Sequence, residues 1–126
     1  MKMNPIVWFE IYVQDMARAQ KFYESVLGRK LEKLGDPNDS SIHMMSFPGD
    51  MENYGANGAL VKMEGAPSGG NSTLIYFGCE DCADEGGRVA SGGGRVEREK
   101  MSIGEYGFVV LAVDTEGNTF GLHSMK

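Results

Sequence analysis

The sequence predicts an α+β domain in which one strand, one helix and three further strands occur twice in succession. Three observations predict it. A strand feeding an amphipathic helix opens the chain, the same pattern returns 66 residues later, and three shorter strand candidates follow each copy. At 126 residues and 41% hydrophobic content the chain suits one domain, 1–126, with a real core.

Residues 5–13 are rich in Ile, Val, Trp, Phe and Tyr. Strand alternation puts Trp8, Glu10 and Tyr12 on one face and Val7, Phe9, Ile11 and Val13 on the other. Asp15 stands at a helix N-cap position. Met16, Ala19, Phe22, Tyr23, Val26 and Leu27 follow at helical spacing, and Gly28 provides a C-cap. Residues 30–34, 42–47 and 58–63 are the three strands that complete a first module, 1–63.

Residues 64–72 (EGAPSGGNS) form a flexible link of turn-forming residues. The second module, 73–126, repeats the order with a strand at 73–79, a cap at Asp81, a helix running into Gly92, Gly93 and Gly94, and strands at 95–100, 108–113 and 119–124. Val13 maps onto Cys79, Asp15 onto Asp81 and Gly28 onto Gly94. Gly86 and Gly87 fall inside this helix at about 1 kcal/mol each relative to Ala. It therefore depends on packing, and close approach to the sheet explains the glycines.

The formal net charge of -6, with Lys and Arg scattered, leaves no basic footprint for nucleic acid. The N-terminal apolar run is interrupted by Glu10 and lacks a signal-peptide pattern, and no segment suits a membrane span. Two cysteines make no disulfide framework. A cytoplasmic protein with neither nucleic acid nor membrane as partner is expected.

The residues FEIYVQD at 9–15, RAQKFY at 18–23 with Val26, Leu27 and Gly28, and DTEGNTFGL at 114–122 together resemble the vicinal oxygen chelate superfamily of glyoxalases, bleomycin resistance proteins and extradiol dioxygenases. The resemblance covers nearly the whole chain and departs from the usual pattern at Thr115, where Pro is common. It implies two βαβββ modules forming a curved, cup-like mixed sheet with helices outside, a small-molecule ligand in the cup, and a homodimer.

Metal-dependent relatives carry His or Glu ligands on four strands. Counted from the cap aspartates and the closing turn, three of those positions fall on Trp8, Leu74 and Gly121, and the fourth strand, 58–63, contains no His, Asp or Glu. None of the three side chains donates an electron pair to a metal. The expected cofactor is therefore none. Two residues further along the same strand faces stand Glu10, Tyr76 and His123, a carboxylate, a phenol and an imidazole able to orient a ligand, transfer protons, or hold a divalent metal in a displaced site.

Glu10, in an otherwise apolar strand, needs either a partner or a wet cavity. His123, near the C-terminus, suits a partly exposed strand residue as well as a site. Tyr76 is at home in a strand through packing alone. Trp8 and Tyr12 are read as ligand-contacting cup residues, and Tyr54, in the Gly-flanked loop 49–58, as part of a lid or of an ordinary connection. His43 reads as surface or rim. The Cys79-Glu80-Asp81-Cys82 spacing suits a redox dithiol, but the two acidic residues oppose thiolate formation and Cys79 occupies a core position. The nine methionines are spread as gap-fillers.

Two functions follow. One is a metal-free binding protein for a small organic molecule. The other is a lyase or isomerase using Glu10, Tyr76 and His123 as acid/base groups or as the displaced metal site, with Glu10 and His123 expected in one cavity.

Overall fold

A computed structural model describes residues 4–36, 39–50, 52 and 54–126. Its first half contains β1 (Trp8–Tyr12), α1 (Met16–Leu27), β2 (Glu32–Asp36), β3 (Asp39–Ser46) and β4 (Asn57–Lys62). The second half contains β5 (Ile75–Gly78), α2 (Cys82–Gly86), β6 (Arg95–Ser102), a 3-10 turn at Gly104–Tyr106, β7 (Phe108–Val113) and β8 (Thr119–Ser124). The two halves form four-stranded sheets of the same topology, β1-β4-β3-β2 and β5-β8-β7-β6. Both sheets are mixed, with β1 parallel to β4 and β5 parallel to β8. No strand pairing joins the two sheets among the described residues, so the curved surface is built from two separate sheets.

The internal repeat holds at the level of single hydrogen bonds. Val13 N donates to Val61 O just beyond β1, and Cys79 N donates to His123 O just beyond β5. Asp15 caps α1 by accepting from Arg18 N, and Asp81 caps α2 by accepting from Ala83 N. Gly28 ends α1 at φ 69°, where a side chain would be strained.

The halves differ in their helices. α1 keeps its full 12 residues, whereas α2 stops after 5. Two adjacent glycines explain the shorter helix, and the close approach they permit is visible: a Cβ on Gly86 would lie 3.2 Å from Val110 on β7.

One core serves both sheets. Phe22, Tyr23 and Val26 of α1 are completely buried, and the Tyr23 ring lies 5.6 Å from Phe47, 5.8 Å from Phe77 and 5.6 Å from Phe120. Each such side chain contributes roughly 1.5–3 kcal/mol on burial. Phe9 and Phe77, from the facing edge strands β1 and β5, meet edge to face at 6.1 Å. No helix among the described residues is long and apolar enough to cross a membrane.

Candidate functional site

Strand alternation on β1 turns Ile11 into the core and leaves Trp8, Glu10 and Tyr12 on the opposite, outer face. Glu10 and Tyr12 lie beside Ala59 and Val61 of β4. The carboxylate of Glu10 is held from both sides: Tyr12 OH donates to one oxygen at 2.7 Å and Trp8 Nε1 to the other at 3.3 Å. This hydrogen bond and, after burial, the neighbouring negative charge raise the Tyr12 phenol above its ordinary pKa. The strand thus presents a carboxylate framed by two aromatic rings.

Glu10 and Tyr12 also line a cavity of about 300 Å³ between β1 and the second sheet, with Thr73 and Ile75 opposite and Asn118 and Thr119 at its end. An acidic group, amides and hydroxyls above an apolar floor can orient a small polar molecule.

Tyr76, Gly121 and His123 share the outer face of the second sheet, where Tyr76 pairs with Gly121 and Gly78 with His123. The Tyr76 ring lies flat on β8, since a Cβ on Gly121 would come within 2.4 Å of it. His123 Nε2 lies 2.7 Å from the carbonyl oxygen of Tyr106. A carbonyl only accepts, so this nitrogen is the donor. No periodicity or motif signals the 3-10 turn at Gly104–Tyr106 that supplies this carbonyl.

Glu10 and His123 stand on different sheets, each on the face turned away from the shared core. The cavity that Glu10 lines includes neither Tyr76 nor His123. Facing is set by alternation within a strand, whereas sharing a cavity depends on how the two sheets are arranged. Leu74, at another mapped metal-ligand position, is half-buried. Tyr54 is 95% exposed; within its loop, Met51 and Asn53 lie outside the described residues. His43 is exposed beside Lys62. Among the described residues no group of three or more His, Cys, Asp or Glu could hold a metal ion.

The Cys79 thiol is pushed up to about 12, first by burial and then by the charge and hydrogen bond of Glu85. It is the opposite of an activated dithiol.

Sequence reasoning missed the buried polar residues of the β7–β8 turn, of which Asn118 lines the cavity. Asp114, Glu116 and Asn118, read only as a turn, are all buried. Asn118 Nδ2 donates to Tyr12 O at 3.0 Å, fixing the end of β1. Asp114 accepts from Tyr23 OH at 2.5 Å, and Glu116 accepts from Gln14 N and Asp15 N at 2.8 and 2.9 Å. The link between the halves is tied to the same turn: Ser68 Oγ donates to Glu116 O and Gly69 N to Asn118 Oδ1.

The sequence profile of the Glyoxalase/Bleomycin resistance protein/Dioxygenase superfamily matches residues 5–122. No curated protein sequence matches. Among solved structures, an E144Q mutant of maize (Zea mays) glyoxalase I superposes with a TM-score of 0.73 at 22% identity, over 95% of this chain and 46% of that one. This chain therefore spans about half the length of the maize protein. A trypanothione-dependent glyoxalase I from Leishmania major gives 0.72 at 20% identity over 98% of this chain and 88% of that one. The hypothetical protein SA1046 from S. aureus gives 0.68 at 16% identity over 98% and 95%. At these identities the likeness is one of fold.

Proposed function

Because the chain belongs to the Glyoxalase/Bleomycin resistance protein/Dioxygenase superfamily, we propose that it binds a small organic molecule at the outer face of β1, with Glu10 as the polar anchor. The single observation that carries this reading is the Glu10 carboxylate, held by Trp8 and Tyr12 at a cavity of about 300 Å³. A carboxylate there favours a ligand that presents a cation or hydrogen-bond donors, and the indole and phenol rings flanking it offer stacking and cation–π surface. The net charge of -6 acts in the same direction. The half-exposed rings of Trp8 and Tyr76 on the two outer faces suit further enclosure of the ligand by a second copy of the chain.

The family's usual divalent ion does not fit the residues present. The Trp8 indole only donates, and does so to Glu10; Leu74 has no lone pair; Gly121 has no side chain, and the Tyr76 ring fills the space above it.

The enzymatic reading rests on His123, whose Nε2 is held by the Tyr106 carbonyl and whose ring stands on the face that also carries Tyr76. With Glu10 from a second copy, these groups would supply the acid and base of a lyase or isomerase step. Glyoxalase I activity, named for the maize and Leishmania proteins, is the first assay.

A thermal-shift screen of small cationic, neutral and anionic compounds tests the proposal, in chelator-treated protein and in Glu10→Gln. Stabilisation by cationic compounds, rising with the logarithm of concentration and absent from Glu10→Gln, is expected. Binding that persists in Glu10→Gln, or that requires an added divalent ion, would overturn it.

A further inference from the structure

A second cavity, of about 260 Å³, lies at the other end of the seam between the sheets, where the start of β1 meets the end of β5. Its floor is aromatic: Phe47 lies 5.7 Å from Phe9 and 5.3 Å from Phe77. Its rim is charged, with Arg29 just beyond α1 and Glu80 and Glu85 on the second module. Among the described residues neither Arg29 nor Glu85 has an ion pair. The two opposite charges line one small cavity without pairing with each other.

We infer that this cavity is a binding site for a small zwitterion with an apolar side chain, an α-amino acid of the phenylalanine or leucine kind. The side chain occupies the phenyl floor, the carboxylate meets Arg29 and the ammonium meets Glu85. The charges select against simpler ligands. A plain amine leaves Arg29 unpaired beside its own positive charge, and a plain carboxylate faces two glutamates. The volume falls just below the roughly 300–1,000 Å³ of drug-sized sites, which suits a single amino acid. The site is separate from the one proposed for Glu10, although Phe9 borders both cavities.

The probe is L-phenylalanine, titrated by calorimetry and by amide chemical shifts into wild-type, Arg29→Gln and Glu85→Gln proteins. The comparison compounds are 2-phenylethylamine and 3-phenylpropionate. Wild-type protein should bind L-phenylalanine more tightly than either comparison compound, with shifts at Gly78 and Cys79. Each substitution should weaken L-phenylalanine about tenfold, the loss of one charge-assisted hydrogen bond at a partly solvated rim. Arg29→Gln should not weaken 2-phenylethylamine and should tighten it, because the like charge beside its ammonium is gone. Arg29 is exposed and has no ion pair among the described residues, so its variant remains informative if Glu85→Gln fails to fold. Absence of L-phenylalanine binding, equal binding by Arg29→Gln, or shifts confined to Glu10 and Tyr12 would overturn the inference.

Discussion

The guanidinium of Arg18 donates to the carboxylate of Glu116 at 2.7 Å, joining the first turn of α1 to the β7–β8 turn 98 residues away. The Glu116 side chain is fully buried, and it also accepts from Gln14 N and Asp15 N at the helix start, where negative charge is favoured. Glu116→Gln keeps the shape but removes the charge that these donors face. It should cost about 2–4 kcal/mol, the lower part of the range for a broken buried pair because Arg18 is half exposed. Urea denaturation of the two proteins measures it.

The same carboxylate makes stability depend on acid. Burial alone would raise its pKa, but the hydrogen bonds from Arg18, Asp15 N, Gln14 N and Thr115 outweigh that and hold it at about 2, against an ordinary value of 4.5. A folded-state pKa below the unfolded one contributes stability that is complete above the unfolded value and is lost as pH falls through the folded one. Unfolding free energy should therefore decline between about pH 5 and pH 2, by up to about 3 kcal/mol from this group. In Glu116→Gln the slope over that window should be correspondingly flatter.

These contacts mark where sequence reading ends. The Asp15 cap, the Gly28 terminus, the inward and outward faces of β1 and the equivalence of Val13 and Cys79 are local periodicities, and the sequence carries them. The buried clamp of Asp114, Glu116 and Asn118 joins residues about a hundred positions apart, and no period in one sequence encodes such a meeting. That Glu10 and His123 stand on the strand faces opposite the core residues is legible for the same local reason. How the two are placed relative to each other is not, because it depends on how two sheets share a core.

Glycines provide a contrast between rigid and yielding neighbours. A Cβ on Gly94 would sit 2.5 Å from the Val113 carbonyl oxygen and 2.7 Å from the buried Phe22 ring, neither of which can retreat. Gly94→Ala should destabilise by about 2–3 kcal/mol through overpacking. For Gly121→Ala the nearest obstacle is the half-exposed Tyr76 ring, which can swing into solvent. Its cost should stay below about 1 kcal/mol. Thermal melts of both variants test the contrast, and a Gly121→Ala protein as unstable as Gly94→Ala would show that Tyr76 is locked.

The Cys79 thiol should be inert. Burial, the Glu85 charge and its hydrogen bond hold the pKa at about 12, so almost no thiolate exists at pH 8 and alkylation should be far slower than for a free cysteine. Glu85→Gln removes the second and third of these causes and should speed labelling, whereas Cys82, completely buried, should stay unlabelled. Mass spectrometry of iodoacetamide-treated protein follows both sites.

The pairing of Tyr12 with Glu10 offers a reading of the proposed site that does not require a known ligand. The phenol is raised first by its hydrogen bond to Glu10, then by burial, then by the carboxylate's charge. Ionising Tyr12 would discard the bond and bring two negative charges together. Glu10→Gln removes that charge at nearly constant volume, so Tyr12 should titrate closer to the ordinary value of 10.0. The chain has five tyrosines, and a difference ultraviolet titration of wild type against Glu10→Gln isolates this one. A cationic compound bound at Glu10 should act in the same direction, because its charge offsets the carboxylate's, and it should have no such effect on Glu10→Gln. If Glu10→Gln leaves the tyrosine titration unchanged, the two side chains are not coupled in solution and Glu10 loses its role as the anchor. If the substitution shifts the titration but no cationic compound does, the pair is a structural contact on β1.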